Sequence, residues 1–426
     1  MTETAGRVRV VIVGAGFAAL SAIKELAKAD VDVVLIDRDP YSTFQPFLYQ
    51  VATGGLNPGD ITVSARAFSA KWRRVRFVRG RVSTIDREER EVLLDDDRAV
   101  PFDYLIISAG VGPNFFGVEG AEENAPTIYT RAEALHVRDR VMGAMEKVAE
   151  KRKDAPEPVF VVVGGGATGV EMAGALAELR STAVPLAYPG LELDRVRIIL
   201  VEMMDDVLGP FAENLQKYTA RALEKRGVEL RLGTAVKEVR PDSVVIGDDE
   251  VLSTAVTIWA TGVTTRNEVA DWNLQQGKGG RILVNEDLRV PDDAKIFAAG
   301  DIALIEDQPL PQLAQPAIQM GKAAARNIKR LLQGEPTESF RYNDRGIMAT
   351  IGRSSAVVEL PIGLKLKGLI AWVAWLFLHI FELMGGRNRI ATMANLSVRY
   401  LTWKRSANVI VGDPPLDKNP RNRRRE

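Results

Sequence analysis

The sequence predicts an α/β protein made of two similar units with parallel sheets, followed by a separate helical tail. Residues 8–19 read VRVVIVGAGFAA and residues 158–169 read PVFVVVGGGATG, each an apolar β-branched run that leads through glycines into a helical pattern. Segments 100–113 and 252–265 form a second similar pair, and the glycines of the two pairs are offset by 150 and 152 residues. This repetition predicts two βαβ units in a doubly wound fold, with ligands at the carboxyl ends of the strands.

The composition excludes several classes of protein. The 426-residue chain has 56 basic and 56 acidic side chains, whereas a nucleic-acid binder usually has a basic excess, so no nucleic-acid partner is expected. The chain has no cysteine and only two histidines, His136 and His379. Disulfide, thiolate, iron–sulfur and multi-histidine metal chemistry are therefore excluded, and no metal site is predicted. Any redox chemistry must come from a bound organic cofactor.

The first glycine-rich loop predicts a dinucleotide site. Gly14, Gly16 and Ala19 fit the pattern G-x-G-x-x-G/A between a strand and a helix. The first glycine permits the turn, the second lets backbone amides approach a pyrophosphate, and the third small residue packs helix on strand. Asp37 ends the next strand, 23 residues after Gly14, where an acid accepts the ribose hydroxyls. A glycine-rich turn with a surface aspartate is the alternative.

The second unit repeats this loop. Its corresponding residues are Gly164, Gly166, Thr168 and Gly169, and the next strand ends at Glu202. The spacing of 38 residues is long because LRSTAVPLAYPGLELD is inserted before the strand. Glu202 would bind the 2′-hydroxyl of a ribose and repel a 2′-phosphate, which favours NADH over NADPH.

Two dinucleotide sites in one chain suggest FAD together with a nicotinamide nucleotide. Gly300 and Asp301 follow another apolar strand, where a carboxylate could bind the ribityl chain of a flavin and so assign FAD to the first unit. The same dipeptide also fits an ordinary strand-to-helix turn.

The helical pattern at 310–332 suggests an electron-acceptor site. Pro316 is predicted as its first helical residue, and Gln315 and Gln319 are four residues apart, hence on one face. The positive end of this helix would stabilise negative charge on a reduced flavin, while the two amides orient a neutral carbonyl acceptor. A solvent-exposed glutamine pair on an amphipathic helix is the alternative.

Several motifs together resemble the type II NADH:quinone oxidoreductases, from about Val8 to about Arg405. They are FQPFLYQVATGGL (44–56), the two glycine loops, AAGD (298–301), AQPAIQ (314–319) and a membrane-seeking tail. The resemblance implies two Rossmann-like domains in a glutathione-reductase-like architecture, FAD and NADH as cofactors, and a membrane quinone (menaquinone or ubiquinone) as acceptor.

The resemblance also implies roles for individual residues. FAD would lie on Gly14, Gly16 and Asp37, with Gln45 and Pro46 near the ring and Asp301 at the ribityl chain. NADH would occupy Gly166, Thr168, Gly169 and Glu202, and quinone would approach Gln315 and Gln319. The further cofactor-binding positions are Ala19, Val82, Ala109, Gly110, Gly164, Thr261, Gly262, Gly300 and Ala317.

Glu171 has two interpretations. It matches the acidic residue of the family in GVEMAG, which suggests that it relays protons or positions the nicotinamide and quinone. Thr168-x-x-Glu171 is also a capping-box pattern, in which Glu171 would bond the backbone at a helix start and stay ionised.

The tail from 364 to 390 predicts a helix that lies in the membrane interface. Its apolar stretch, 369–384, is 16 residues long, about 24 Å as a helix, whereas the hydrocarbon core is about 30 Å thick. Trp372 and Trp375 are types favoured at the headgroup level. A second helix is predicted at 390–405, and the terminal RNRRR would attract anionic lipid. A buried helix or a homodimer interface is the alternative. His379 and Glu382 could shuttle protons or simply form a polar stripe.

The predicted domains are an FAD-binding domain at 1–120 and 281–345, an NADH-binding domain at 121–280, and a membrane-anchoring region at 346–426, with KRKDAPEP (151–158) as a linker. No signal peptide is visible, so we expect a peripheral protein at the cytoplasmic face of the cell membrane. The predicted activity is two-electron, non-pumping transfer from NADH through FAD to quinone. The alternatives are a soluble NADH-dependent reductase of a ferredoxin- or rubredoxin-type protein and a non-catalytic flavoprotein that senses NADH.

Overall fold

The computed structural model describes residues 6–150 and 157–402, so most of the predicted linker and the basic terminus RNRRR lie outside the described residues. The strands are β1 Arg9–Val13, β2 Asp32–Asp37, β3 Tyr41–Thr43, β4 Thr62–Ser64, β5 Val75–Arg79, β6 Val82–Asp86, β7 Glu91–Leu94, β8 Ala99–Pro101, β9 Tyr104–Ile107, β10 Gly112–Pro113, β11 Val159–Val163, β12 Arg197–Val201, β13 Val228–Arg231, β14 Val236–Val239, β15 Ser243–Ile246, β16 Glu250–Ser253, β17 Val256–Trp259, β18 Val263–Thr264, β19 Ile282–Leu283, β20 Arg289–Val290, β21 Asp293–Ala298, β22 Ala303–Leu304, β23 Ile347–Gly352, β24 Ser355–Glu359 and β25 Lys365–Gly368.

Helices cover the faces of the sheets and form the end of the described chain. They are α1 Phe17–Leu26, α2 Leu48–Ala52, α3 Ala65–Ser69, α4 Ala121–Asn124, α5 Arg131–Ala149, α6 Ala167–Thr182, α7 Val184–Ala187, α8 Glu213–Glu224, α9 Ala314–Leu332, α10 Leu369–Glu382 and α11 Gly386–Thr402. Short 3-10 turns occur at Gln45–Phe47, Leu193–Arg195, Asn267–Trp272 and Lys278–Gly280.

Two sheets form the centre of the fold. The first has the order β20-β21-β9-β1-β2-β5, and β21 joins it in parallel beside β9 although some 185 residues separate the two strands in the chain. The second has the order β13-β12-β11-β17 and is parallel throughout. Strands β1 and β11 are almost entirely apolar and buried because helices cover both faces of a parallel sheet. The predicted α/β fold with two Rossmann-like units is confirmed; the predicted domain boundaries stay a prediction.

Helix α9 lies directly against α1, next to the first sheet. A methyl group on Gly321 would come within 2.1 Å of the backbone oxygen of Ala18, so this contact requires glycine. The prediction that Pro316 begins the helix was wrong by two residues, because α9 begins at Ala314 after the N-cap Leu313. The N-terminal turn of α9 nevertheless reaches the first unit, because a methyl group on Gly300 would lie 3.4 Å from Cβ of Ala317.

The tail consists of the antiparallel sheet β23-β24-β25 followed by α10 and α11. Helix α10 packs on β24 and β25, and its Trp375 is 2% exposed. The expectation that Trp375 lies at lipid headgroups was therefore wrong, since this ring is inside the protein. Across residues 6–150 and 157–402, every helix is too short or too polar to cross a membrane.

Candidate functional site

The first glycine of each loop is required by the fold of the loop itself. Gly14 and Gly164 have φ angles of 95° and 108°, in the left-handed region that L-residues avoid. A methyl group on Gly14 would lie 2.4 Å from the backbone oxygen of Ser108, and one on Gly164 would lie 2.6 Å from Cβ of Thr261. Each turn therefore brings β1 or β11 into close contact with the segment that follows the neighbouring strand.

The second glycine of each loop is required by nothing in the described protein. Gly16 and Gly166 have ordinary φ angles of −82° and −67°, and a methyl group on either would meet no described atom within 4 Å. Both are N-caps without a side-chain hydrogen bond, so the first-turn amides of α1 and α6 lack a side-chain cap. Open space in front of uncapped helix amides fits the pyrophosphates of FAD and NADH.

The predicted ribose-binding acids occupy matching places in the two units. Asp37 accepts a hydrogen bond of 2.6 Å from the Ala15 amide, and Glu202 accepts one from the Gly165 amide. Ala15 and Gly165 are both the middle residue of their glycine loops. The insertion before β12 forms α7 and a 3-10 turn, so it does not displace Glu202. Burial raises the pKa of Asp37, against the opposing effect of its hydrogen bonds from the backbone.

The third position differs between the loops. Ala19 is fully buried, whereas a methyl group on Gly169 would come within 1.8 Å of the Gly164 oxygen. The second unit thus needs glycine where the first has alanine. Thr168 is exposed in the first turn of α6, two residues after Gly166.

Other predicted cofactor positions lie at the carboxyl ends of the strands. Ala109 and Gly110 follow β9, and Thr261 and Gly262 follow β17. Both glycines have a φ of 68°, so the chain turns in the same way in the two units. Val82 is buried at the start of β6 in the core of the first unit.

Several polar residues lie near Asp301, which follows β21. Burial raises the pKa of Asp301 to about 6, while the positive charge of Arg281 lowers it. Burial and the negative charge of Asp301 raise the pKa of Tyr129, and the Gln45 side chain donates to the Tyr129 backbone oxygen at 3.3 Å. Within the described residues the Asp301 carboxylate accepts no hydrogen bond, which suits a hydroxyl-rich ribityl chain. Tyr129 and Arg281 belong to no motif recognised in the sequence, because only the fold brings them near Asp301.

The two glutamines of α9 have different environments. Gln319 donates to the backbone oxygen of Asn343 and accepts from its amide, both at 3.0 Å. This reciprocal pair uses both ends of the side-chain amide. The Gln315 amide makes no hydrogen bond to the part of the chain that the structure describes, so it can bind a ligand without first losing a partner.

Glu171 is not a helix cap. Helix α6 has Gly166 as its N-cap, so Thr168 is already helical and the predicted capping box was wrong. The Glu171 carboxylate instead accepts from the Thr350 amide of β23 at 3.3 Å. Burial raises the pKa of Glu171 to about 8, and the Thr350 hydrogen bond only partly opposes it. The prediction that this group stays ionised was therefore also wrong.

His379 belongs to an aromatic cluster, so its assignment to a polar stripe with Glu382 was wrong. Its Nδ1–H donates to the Trp375 backbone oxygen at 2.7 Å, and its ring stacks on the Trp375 ring at a centroid distance of 4.1 Å. Burial lowers the pKa of His379 to about 4, so the ring is neutral at physiological pH.

Comparison with known proteins agrees with this geometry. Residues 8–321 match the family described as pyridine nucleotide-disulphide oxidoreductase. Two type II NADH:quinone oxidoreductases of Mycobacterium tuberculosis are similar over most of their length: Ndh is 37% identical over 94% of this chain and 89% of its own, and NdhA is 36% identical over 93% and 88%. The structure of NDH2 from Plasmodium falciparum in complex with NADH has a TM-score of 0.85 at 20% identity, over 95% of this chain and 100% of that one.

Proposed function

The chain belongs to the type II NADH:quinone oxidoreductases within the pyridine nucleotide-disulphide oxidoreductase family, and we propose that it oxidises NADH with FAD and reduces a membrane quinone without pumping protons. The observation that supports this function is the pair of matching glycine loops. In each loop there is open space beside the second glycine, and an acidic side chain accepts a hydrogen bond from the amide of the middle residue. The chain has no cysteine, so the disulfide in the family's name has no counterpart here.

The residues of the first unit fit FAD. Gly16 leaves room for the pyrophosphate. Asp37 would accept hydrogen bonds from a ribose, and the Asp301 carboxylate would accept them from the ribityl chain. When bound, FAD supplies the two-electron redox chemistry that links NADH to a quinone. Gly166 and Glu202 perform the equivalent positioning of NADH in the second unit, and the protein aligns donor and acceptor.

A direct experiment tests this function. The purified protein is mixed anaerobically with NADH and then with a short-chain quinone, while the absorbance of the flavin is recorded. Bleaching by NADH and recovery with quinone are expected, and NADPH should reduce the flavin much more slowly. A flavin that bleaches but is not reoxidised by quinone would support a sensor. Reoxidation only by a ferredoxin-type protein would support the soluble reductase.

We propose Gln315, rather than Gln319, as the main polar contact of the quinone carbonyl. The Gln315 side chain has no hydrogen-bond partner among residues 6–150 and 157–402, whereas the Gln319 side chain is bonded to Asn343. Gln315→Leu is expected to raise the KM for quinone roughly tenfold, since a lost hydrogen bond to a ligand costs about 1 kcal/mol or more. The KM for NADH should not change.

Gln319→Leu is the matched control for this prediction. It should lower thermal stability, because it breaks the two bonds to Asn343, and alter the KM for quinone less than Gln315→Leu does. Equal effects of the two variants on quinone kinetics, with equal stability, would contradict the assignment.

We propose that Glu171 exchanges a proton close to the redox site. With a pKa raised to about 8 its carboxyl group is mostly protonated at neutral pH, and one oxygen is fixed by the Thr350 amide. A carboxyl group in that state can both donate and regain a proton near neutrality. Quinone reduction needs two protons, so such a group has a role in the reaction.

The outer face of α10 is proposed to lie on lipid. Trp375 faces inward, while Ile370 and Phe377 are 70% and 72% exposed on the opposite side. Leu369, Val373 and Phe381 extend the same apolar surface, and Lys365 and Lys367 of β25 precede it. Apolar side chains beside cations suit the interface of an anionic bilayer. The cytoplasmic face of that membrane stays a prediction.

The double variant Ile370→Gln and Phe377→Gln is expected to release the protein from membranes. The loss of two large apolar contacts should lower binding to phosphatidylglycerol vesicles by roughly tenfold or more. Vesicle flotation measures the effect. Leu186→Gln, at another exposed apolar residue, is the control and should still float. If the wild type fails to float but forms a dimer that the double variant loses, the face is a homodimer interface instead.

A further inference from the structure

Helices α10 and α11, called here the tail helices, both contact the first unit, and the inner face of α10 lies against one segment of it. That segment is residues 44–49, called here the FQPF segment. Trp375 packs on Phe47 and Tyr49 at ring centroid distances of 5.6 and 6.3 Å. The His379 ring lies 6.3 Å from Phe44 and 6.0 Å from Phe47. Trp375 is almost completely buried where it meets this segment.

Helix α11 fixes the loop that follows the FQPF segment. The Asn388 amide donates to the Thr62 backbone oxygen at 2.9 Å, and the Asn395 amide donates to Asp60 Oδ2 at 2.5 Å. Thr392 lies between them and is fully buried against Asp60. The three α11 residues recur at i, i+4 and i+7, so they form one polar face directed at this loop.

The opposite side of the FQPF segment contacts the cofactor loops. Phe44 packs edge-on against Phe17 at 5.8 Å, and Phe17 is the residue that follows Gly16. The Gln45 side chain donates to the backbone oxygen of Tyr129, which is one of the polar residues near Asp301. The segment therefore lies between the tail helices on one side and the predicted flavin site on the other.

We propose that the tail helices position the flavin site, with Trp375 and His379 as positioning residues that hold the FQPF segment against it. The tail thus has a second task besides attachment to lipid. The proposal rests on the proposed function only in taking FAD as the bound group. Because His379 is neutral and donates to its own helix, its part is to present a fixed ring, not to exchange protons.

Release of FAD from the holoenzyme in detergent, without membranes, tests the proposal. Flavin fluorescence rises as FAD leaves, so the dissociation rate can be followed directly. Trp375→Leu and His379→Leu are expected to release FAD roughly tenfold faster than the wild type, which corresponds to about 1.4 kcal/mol. Asn395→Ala should act in the same direction, while Ser397→Ala, at an exposed residue of the same helix, should not.

Conservative variants separate positioning from general loss of structure. Trp375→Phe keeps a ring against Phe47 and loses an indole N–H that has no partner among the described residues, so it should restore wild-type release. His379→Phe should likewise retain FAD better than His379→Leu. Far-ultraviolet circular dichroism checks that every variant is folded.

The possible results are distinct. Wild-type dissociation rates in folded Trp375→Leu and His379→Leu would overturn the positioning role. A wild-type protein that retains FAD but does not reduce quinone would instead contradict the proposed function and leave the positioning result valid. If the leucine variants do not fold, the release rates of Asn395→Ala and Ser397→Ala decide: equal rates overturn the proposal.

Discussion

Gly166→Val is expected to abolish reduction of the bound flavin by NADH while leaving the fold and the flavin in place. The φ of Gly166 is −67° with extended ψ, which valine adopts readily, and no described atom lies within 4 Å of the added Cβ. The branched side chain would instead fill the space in front of the α6 amides. A pyrophosphate could then no longer approach those amides, and we expect at least a hundredfold loss in the rate constant for reduction at low NADH.

Stopped-flow measurement of flavin bleaching checks this prediction. Dithionite should still reduce the flavin of Gly166→Val, because that reagent needs no nucleotide site. Gly143→Val in α5 is the matched control, since its Cβ also meets nothing within 4 Å but it lies away from the loop. Normal reduction of Gly166→Val by NADH would show that the nucleotide binds elsewhere.

The features that sequence reasoning predicted well are local ones. The glycines of both loops and the acids at the ends of β2 and β12 follow from runs of a few residues, whose turn geometry allows few alternatives. The long insertion before Glu202 does not change the position of this acid at the end of β12, because the insertion folds outside the strand. The carboxyl-end position of Asp301 is of the same kind.

The features that sequence reasoning missed depend on contacts between distant segments. Glu171 matches a capping box in the chain, but its carboxylate accepts a hydrogen bond from the Thr350 amide, 179 residues away, and burial raises its pKa. In the sequence Gln319 is equivalent to Gln315 as a ligand-binding candidate, but in the structure its side chain is hydrogen-bonded to Asn343. His379 resembles a polar residue of a surface helix, but in the structure its ring packs against Phe44 and Phe47 of the FQPF segment. Helical periodicity identifies a face but not what covers it.

Glu171→Gln is expected to stabilise the protein at alkaline pH and to leave stability unchanged at acid pH. Burial raises the pKa of Glu171 from 4.5 to about 8 in the folded state, so the native protein binds this proton more tightly than the unfolded chain does. Between these two pKa values unfolding releases the proton, and the stability of the wild type falls as the pH rises. Above about pH 8 the folded carboxyl group is ionised as well, and the cost becomes constant.

Glutamine keeps the shape of the side chain and an oxygen acceptor for the Thr350 amide, but it has no ionisable proton. The difference in unfolding free energy between Glu171→Gln and the wild type should therefore grow from about pH 5 to pH 8, at no more than about 1.4 kcal/mol per pH unit, and then level off. Urea unfolding of the holoenzyme at pH 5, 7 and 9 measures it, with Glu224→Gln on exposed α8 as the control that should show no such trend. A difference that stays flat from pH 5 to 9 would mean that Glu171 is ionised in the folded enzyme, and it could not then supply a proton to the quinone.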